Sequence, residues 1–148
     1  MPSLIDNKKA YFNYEIIEKY EAGISLFGHE VKSIKTGKMS LRGAYIIIRG
    51  GEAFLVEADI SPYQPNNISK NYNPRRPRKL LLNKKEISSI LGYEKERGLT
   101  IIPLSLYTKK GLVKVEIGVA RGKKKYDKRE TIKKRDTERD IRRTLKNN

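Results

Sequence analysis

Apolar and polar residues alternate along much of the chain, which is the pattern of half-buried β-strands. Between residues 112 and 120, valine or isoleucine occupies alternate positions, with Lys114 and Glu116 between them. Since successive strand side chains point to opposite faces, both charged residues should face solvent. Segment 99–107 precedes it across a short turn, so the two predict a hairpin. Pro103 has no amide proton, which predicts that its strand lies at an edge or contains a bulge.

Further strands follow from glycine positions and β-branched residues. Segments 44–49 and 52–60 flank Gly50-Gly51, and glycine readily adopts the positive φ that a tight hairpin turn requires. Residues 11–20 are rich in aromatic and β-branched side chains and predict a strand that Gly23 interrupts, and residues 24–26 could extend it beyond a bulge.

Two helices are predicted among these strands. Residues 29–36 form a short candidate with Gly37 just beyond, and residues 84–97 form a longer one. Asn83 immediately precedes the longer helix, and Glu86 follows it by three positions, which is the spacing of a capping box. Short strands with two helices predict a mainly β fold, either a small barrel or a sandwich.

A long loop should connect the two halves of this mainly β fold. Residues 61–79 contain four prolines and four asparagines, and loops of this length are usually functional or disordered. The run 80–82 is three leucines and predicts a short buried segment. The loop ends in a basic cluster that we expect to be exposed: Arg75, Arg76, Arg78 and Lys79.

The charge is uneven along the chain. The net charge of the 148 residues is +16, and residues 121–148 hold 13 Lys and Arg against 5 Asp and Glu, a net +8. This segment has no apolar stripe, and its i, i+4 ion pairs contribute too little to order a helix alone. We therefore predict two parts: a folded domain, 1–120, and a basic tail, 121–148, which is disordered when free and helical on a partner.

The composition argues against most catalytic chemistry. Cysteine is absent, and His29 is the single histidine. Beside Glu30, His29 is either a general base or, more commonly, a partly exposed surface or packing residue. We expect a cytoplasmic protein that is monomeric when free and is not an enzyme, with no membrane segment, metal or cofactor.

Basic residues interleaved with aromatic ones favour RNA as the partner. Lysine and arginine neutralise phosphate, and aromatic rings stack on unpaired bases. Tyr63, Tyr72 and Tyr126 lie in basic segments, whereas packing explains Tyr14 and Tyr20 more simply. A ribosomal or general RNA-binding protein and an RNA-processing enzyme are the rival classes; the latter lacks plausible catalytic residues.

Six segments, in order along the chain, resemble the SsrA-binding protein family, also called small protein B or SmpB. They are Asn7-Lys-Lys-Ala10, Glu21-Ala-Gly-Ile24, Gly28-His-Glu-Val-Lys-Ser33, Arg78-Lys-Leu-Leu-Leu-Asn83, Ile117-Gly-Val-Ala-Arg-Gly-Lys-Lys124 and the overlapping Gly122-Lys-Lys-Lys-Tyr-Asp-Lys-Arg129. Each is weak alone, but together they are specific.

The resemblance implies an OB-like antiparallel β-barrel with flanking helices. It also implies a role in trans-translation: the protein binds the tRNA-like domain of transfer-messenger RNA (tmRNA), where it stands in for the missing anticodon arm. The complex enters stalled ribosomes, the nascent chain is tagged for degradation, and the ribosome is released. The tail would become a helix in the empty message channel, near the decoding centre.

The resemblance also implies site residues. Those expected to face RNA are Asn7, Glu21, Leu81, Asn83 and Lys114. Those expected to contact the ribosome are Lys123, Lys124, Tyr126, Asp127, Lys128 and Arg129. The chain departs from the family at Phe12-Asn13, where the family usually has histidine followed by an acidic residue. A histidine contact there is not expected.

Overall fold

The computed structural model describes residues 3–64 and 70–123. Almost all of the predicted basic tail lies outside these residues. The strands are β1 (Ser3–Asp6), β2 (Tyr14–Ile24), β3 (Met39–Ser40), β4 (Tyr45–Arg49), β5 (Glu52–Val56), β6 (Asp59–Ile60), β7 (Arg78–Leu81), β8 (Leu99–Lys109) and β9 (Leu112–Gly122). The helices are α1 (Ala10–Asn13), α2 (Gly28–Lys35) and α3 (Lys84–Lys95).

Seven strands form one antiparallel sheet in the order β1-β8-β9-β2-β7-β5-β4. Strands β3 and β6 form a separate pair. Strand β4, at one end of the sheet, packs against β8, so the sheet curls on itself like an open barrel. The predicted mainly β fold with flanking helices is confirmed.

Both predicted hairpins are present. Gly50 and Gly51 connect β4 to β5 with φ values of 59° and 75°. Lys110 and Gly111 connect β8 to β9 with φ values of 53° and 79°. Consecutive positive φ values suit a two-residue hairpin turn because their twist matches that of the flanking strands.

The predicted strand over residues 11–20 is wrong at its start and in its break at Gly23, whereas its possible extension beyond that glycine is confirmed as far as Ile24. A single turn of helix, α1, occupies its beginning, and Ala10, the first residue of this helix, is buried. Strand β2 then pairs with the whole of β9, bulges between Ile16 and Glu18, and continues through Gly23 to Ile24. Cross-strand pairing therefore overrides the aromatic and glycine signals.

Pro103 does interrupt regular pairing. The register of β8 against β9 shifts between Pro103 and Ser105, which confirms the predicted bulge. The edge alternative is wrong, because β8 lies between β1 and β9.

The segment 52–60, predicted as one strand, forms two strands, and the prediction that the leucine run 80–82 is buried is wrong at Leu81. Glu57 has a φ of 63° and separates β5 from β6. Leu80 is 2% exposed, whereas Leu81 is 57% exposed. Leu80 and Leu81 are successive residues of β7, so they point to opposite faces of the sheet.

The main apolar core lies between the inner face of the sheet and helices α2 and α3. Ile34 of α2 and Ile90 of α3 are fully buried against sheet residues that include Leu55 and Ile117. Tyr20 packs against this core, and Tyr14 packs against a smaller cluster around Ala10, in agreement with the packing interpretation of both tyrosines.

The basic end of the loop was predicted to be exposed, which is confirmed for Arg75 and Lys79 and wrong for Arg78. Arg78 is fully buried, and its Nε and Nη2 atoms lie 3.0 Å and 2.5 Å from Oε2 of Glu30. Arg76 also donates to both oxygens of Glu30. Tyr72 donates its hydroxyl proton to Glu30 at 2.9 Å. These groups form a buried ionic cluster, which fastens the loop to α2.

Candidate nucleic-acid interface

The outer face of the sheet brings residues of four strands into one row. Tyr107 of β8 is paired with Lys114 of β9, Lys114 with Gly23 of β2, and Gly23 with Leu81 of β7. Directly paired residues point to the same face. The side chains of Tyr107, Lys114 and Leu81 therefore share one surface, and Gly23 leaves a gap between the last two.

Leu81 lies over the gap at Gly23. A Cβ atom placed on Gly23 would be 3.3 Å from both Cβ and Cδ1 of Leu81, closer than most real contacts. The absence of a side chain therefore lets the leucine lie across the sheet. An exposed leucine beside a lysine offers apolar contact next to a positive charge.

Lys114 faces outward, as the alternation predicted. Its neighbours Val113 and Val115 are buried in the core, and Lys114 itself is partly exposed. Such a cation on a sheet face suits phosphate contact.

Glu21 is held in place by two neighbours on β8. The Tyr107 hydroxyl donates to Oε2 of Glu21, and Nζ of Lys109 lies 3.3 Å from Oε1. The Tyr107 hydrogen bond, followed by Lys109 and Lys114, lowers the pKa of the Glu21 carboxyl below its usual value. Glu21 is therefore an ionised acceptor next to Lys114.

Asn83 caps helix α3, as predicted. Its side-chain oxygen accepts the amide proton of Glu86 at 2.8 Å, and the Glu86 carboxylate accepts the amide proton of Asn83 at 3.2 Å. The residue is exposed and follows Leu81 by two positions. The amino end of a 12-residue helix thus opens beside the outer-face row, with the partial positive charge that favours phosphate.

Asn7 lies apart from the other four predicted RNA-facing residues. It follows β1, and its side-chain amide donates to the carbonyl of Pro103 at 2.9 Å. It lines a cavity of about 510 Å³ together with residues that include Lys9, Arg42 and Tyr45. The structure thus brings Glu21, Leu81, Asn83 and Lys114 together at the outer face of the sheet. Asn7 lies away from that face, in the cavity beside Arg42.

The predicted ribosome-contacting set is covered only at its first residue. The amide of Lys123 donates to the carbonyl of Asn13 at 2.9 Å, and its Nζ donates to the carbonyl of Tyr11 at 2.7 Å. Lys124, Tyr126, Asp127, Lys128 and Arg129 lie outside the described residues.

His29 is surrounded by aromatic rings. Its ring centroid lies 4.7 Å from that of Tyr72 and 5.7 Å from that of Phe27. Its Nδ1 atom is buried without a hydrogen-bond partner in the part of the chain that the structure describes. The adjacent Glu30 carboxylate is bound by two arginines. These contacts favour the packing interpretation over the general-base one.

Tyr107 and Lys109 also belong to this surface and were not predicted, whereas the outward direction of Glu116 was predicted together with that of Lys114. A signal for them existed: Tyr107 and Lys109 alternate with core residues of β8, as Lys114 does with those of β9. Their meeting with Glu21 depends on the pairing of β2 with β9, which the local sequence does not specify.

Comparison with known proteins agrees with the resemblance. A family model described as "SmpB protein" matches residues 4–147. The SsrA-binding protein of Gloeothece citriformis (strain PCC 7424) is 52% identical over 143 residues, which are 97% of this chain and 92% of that protein. The SsrA-binding protein of Trichodesmium erythraeum (strain IMS101) is 54% identical over 141 residues, 95% of this chain and 90% of that protein.

A solved structure is also similar. It is described as "tmRNA-SmpB: a journey to the center of the bacterial ribosome" and superposes with a TM-score of 0.69 at 44% identity, covering 82% of this chain and 85% of that one. Across residues 3–64 and 70–123, no helix has the length and apolar character needed to cross a bilayer.

Proposed function

Because this chain belongs to the SmpB family of SsrA-binding proteins, we propose that it binds tmRNA and takes part in trans-translation on the bacterial ribosome. The protein binds the tRNA-like domain of tmRNA, stands in for its missing anticodon arm, and accompanies it into stalled ribosomes. It acts in the cytoplasm by binding and not by catalysis. The supporting observation is the convergence of Glu21, Leu81 and Lys114 on one exposed sheet face beside the cap of α3.

Each residue of this face has a distinct part in the proposal. Lys114 contacts a backbone phosphate, and Leu81 supplies apolar contact to a base or sugar. Glu21 accepts hydrogen bonds from base edges or from a ribose 2′-hydroxyl, since a carboxylate repels phosphate. Asn83 caps α3 and presents the helix amino end to RNA. Asn7 acts separately, from the cavity beside Arg42.

The tail acts on the ribosome in this proposal. Lys123, Lys124, Tyr126, Asp127, Lys128 and Arg129 contact ribosomal RNA near the decoding centre. The tail helix enters the message channel when it is empty, so a message in that channel excludes it. The supporting observation is the charge of residues 121–148, a net +8 with no apolar stripe, which suits a segment surrounded by RNA.

The Lys114→Glu variant tests the RNA-binding face. It places a negative charge where a phosphate contact is proposed, so the affinity for the tRNA-like domain should fall by on the order of 10-fold or more. The measurement is a titration of the full chain at two salt concentrations, with a circular dichroism spectrum as the check on folding.

Lys95→Glu is the matched control. Lys95 is exposed in the last turn of α3, at the opposite end of that helix from Asn83, and the charge change is the same. Its affinity should stay close to that of the unmodified chain. Equal losses of RNA affinity in the two variants would mean that only the total charge of the chain matters. An unchanged RNA affinity of Lys114→Glu would show that Lys114 is not part of the interface.

A further inference from the structure

A cavity of about 250 Å³ opens on the outer face of the sheet beside the row of Lys114 and Leu81. Its lining residues are Ser3, Glu21, Ser105, Tyr107, Lys109 and Glu116. The volume is several times the ~30 Å³ that one water molecule occupies in the liquid. We call it the acidic pocket, because two carboxylates line it in a chain of net charge +16.

The two carboxylates are direct cross-strand partners. Glu21 of β2 is paired with Glu116 of β9, and both side chains point outward. Like charges placed directly opposite each other destabilise a sheet. Lysines offset the repulsion: Lys109 lies 3.3 Å from Glu21, and Lys19 lies 3.3 Å from Glu116.

Tyr107 fixes the orientation of one of these carboxylates. Its hydroxyl donates to Oε2 of Glu21, while Lys109 approaches Oε1. An ionised carboxylate has about four acceptor positions. One neighbour on each oxygen therefore leaves acceptor capacity on both oxygens, and the side chain is already held in one orientation.

The charge around the pocket favours a particular ligand chemistry. Lys19, Lys109 and Lys114 surround the two carboxylates, so the local balance is positive and disfavours a free cation. A ligand that carries neutral N–H donors on an anionic backbone can donate to the two carboxylates and place its negative charge near the three lysines. An unpaired nucleotide of RNA has this composition.

We propose that the acidic pocket binds the Watson–Crick edge of an unpaired guanine. Guanine alone among the four RNA bases presents two adjacent donors, N1–H and the N2 amino group, beside an acceptor, O6. The Glu21 carboxylate accepts the two donors, and a neighbouring lysine contacts O6. Glu116 accepts the second amino proton, and Tyr107 is a positioning residue that acts through Glu21. This inference rests on the proposed binding of tmRNA.

The test uses the full chain and the tRNA-like domain of tmRNA as the probe. Unpaired guanines of the RNA are replaced one at a time by inosine, which keeps N1–H and O6 but lacks the N2 amino group. One replacement should weaken binding by on the order of 10-fold, as expected for loss of a paired base contact. Glu21→Gln and Glu116→Gln should each reduce the ratio of guanine to inosine affinity at that position.

Tyr107→Phe separates positioning from general stability. It removes the hydroxyl and keeps the ring, so the guanine-to-inosine ratio should fall while the affinity for the inosine-containing RNA changes little. Tyr93→Phe is the control, because Tyr93 lies in α3, packs against the main core and does not line the acidic pocket. Its ratio should equal that of the unmodified chain.

Two results would overturn the pocket assignment alone. In one, no inosine replacement weakens binding although the chain still prefers tmRNA to an ordinary tRNA. In the other, Glu21→Gln retains the full guanine-to-inosine ratio. Failure of the proposed function is distinct: the unmodified chain would show no preference between the two RNAs, which would overturn both proposals.

Discussion

Glu30 is the residue on which the attachment of the loop depends. Its carboxylate accepts hydrogen bonds from Arg76, Arg78 and Tyr72, and from the amide of Phe27 at 2.8 Å. Burial alone would raise its pKa, but these donors outweigh burial and lower the pKa from 4.5 to about 2. Burial and the adjacent carboxylate raise the pKa of Tyr72 to about 12. At neutral pH Glu30 is therefore ionised, while Tyr72 keeps the hydroxyl proton that it donates to Glu30.

Glu30→Gln should destabilise the folded chain by about 3–5 kcal/mol at pH 7, because two arginines lose their counter-charge and Arg78 has no access to water. The measurement is urea unfolding at pH 7. Glu52→Gln is the control, since Glu52 pairs with Lys79 across two exposed side chains. It should change the free energy of unfolding by less than about 1 kcal/mol.

The same variant has a predicted pH dependence. The folded pKa of Glu30 is depressed, so its ionised form contributes stability fully above pH 4.5, and that contribution is lost as the pH falls toward 2. The difference in unfolding free energy between the unmodified chain and Glu30→Gln should therefore narrow over this interval. A constant difference from pH 7 to pH 2.5 would mean that the charge of Glu30 is not responsible.

Residue-level features were predictable where the signal is local. Strand alternation alone predicted the outward direction of Lys114, and capping-box spacing predicted the role of Asn83. Burial of Arg78 was not predictable, because its partner Glu30 lies 48 positions away and belongs to a helix. Tyr107 and Glu21 are separated by 86 positions. The residues next to a basic side chain in the sequence do not show whether it is exposed or is buried against a carboxylate that is distant along the chain.

At the scale of elements, glycine turns and helix caps were the dependable predictors. The two hairpins and α3 agree with their predictions to within a few residues, because positive φ values and capping bonds are set by adjacent residues. Helix α1 was missed because four residues give no helical period. The start of β2 was wrong because its pairing with β9 is long-range.

Asn83 tests whether a helix cap also contacts RNA. Asn83→Ala removes the cap and should lower stability by about 1 kcal/mol, whereas Asn83→Ser keeps a capping oxygen and should change it little. If the amide of Asn83 contacts RNA directly, both variants should weaken RNA binding. If only the helix amino end acts, the serine variant should bind as the unmodified chain does. Thermal unfolding and RNA titration together distinguish the two.

At the scale of the whole molecule, the sequence suggested a folded domain followed by a basic tail. The structure describes one curled sheet whose last strand ends at Gly122, with the amide of Lys123 bonded to Asn13. The division at residue 120 remains a prediction, and so do the conformation and contacts of the tail. Because β9 pairs with β2 as far as Gly122, a chain shortened to test the folded domain should end after Lys123 and not after residue 120.

The most informative measurement compares the full chain with a chain that ends at Lys123. Each is titrated against tmRNA and an ordinary tRNA at two salt concentrations, and each is then tested in a tagging reaction on stalled ribosomes. A full chain with Asp127, Lys128 and Arg129 replaced by alanine serves as the variant with an intact tail length.

We predict that the shortened chain and the alanine variant both keep their preference for tmRNA and both fail to support tagging. That result would assign RNA selection to the folded domain and ribosome engagement to the tail. A different result is that the shortened chain no longer prefers tmRNA to an ordinary tRNA, and that the RNA affinity of the full chain falls steeply as salt is added. The tail would then act only as a polycation. The division of function between the two parts would then be contradicted.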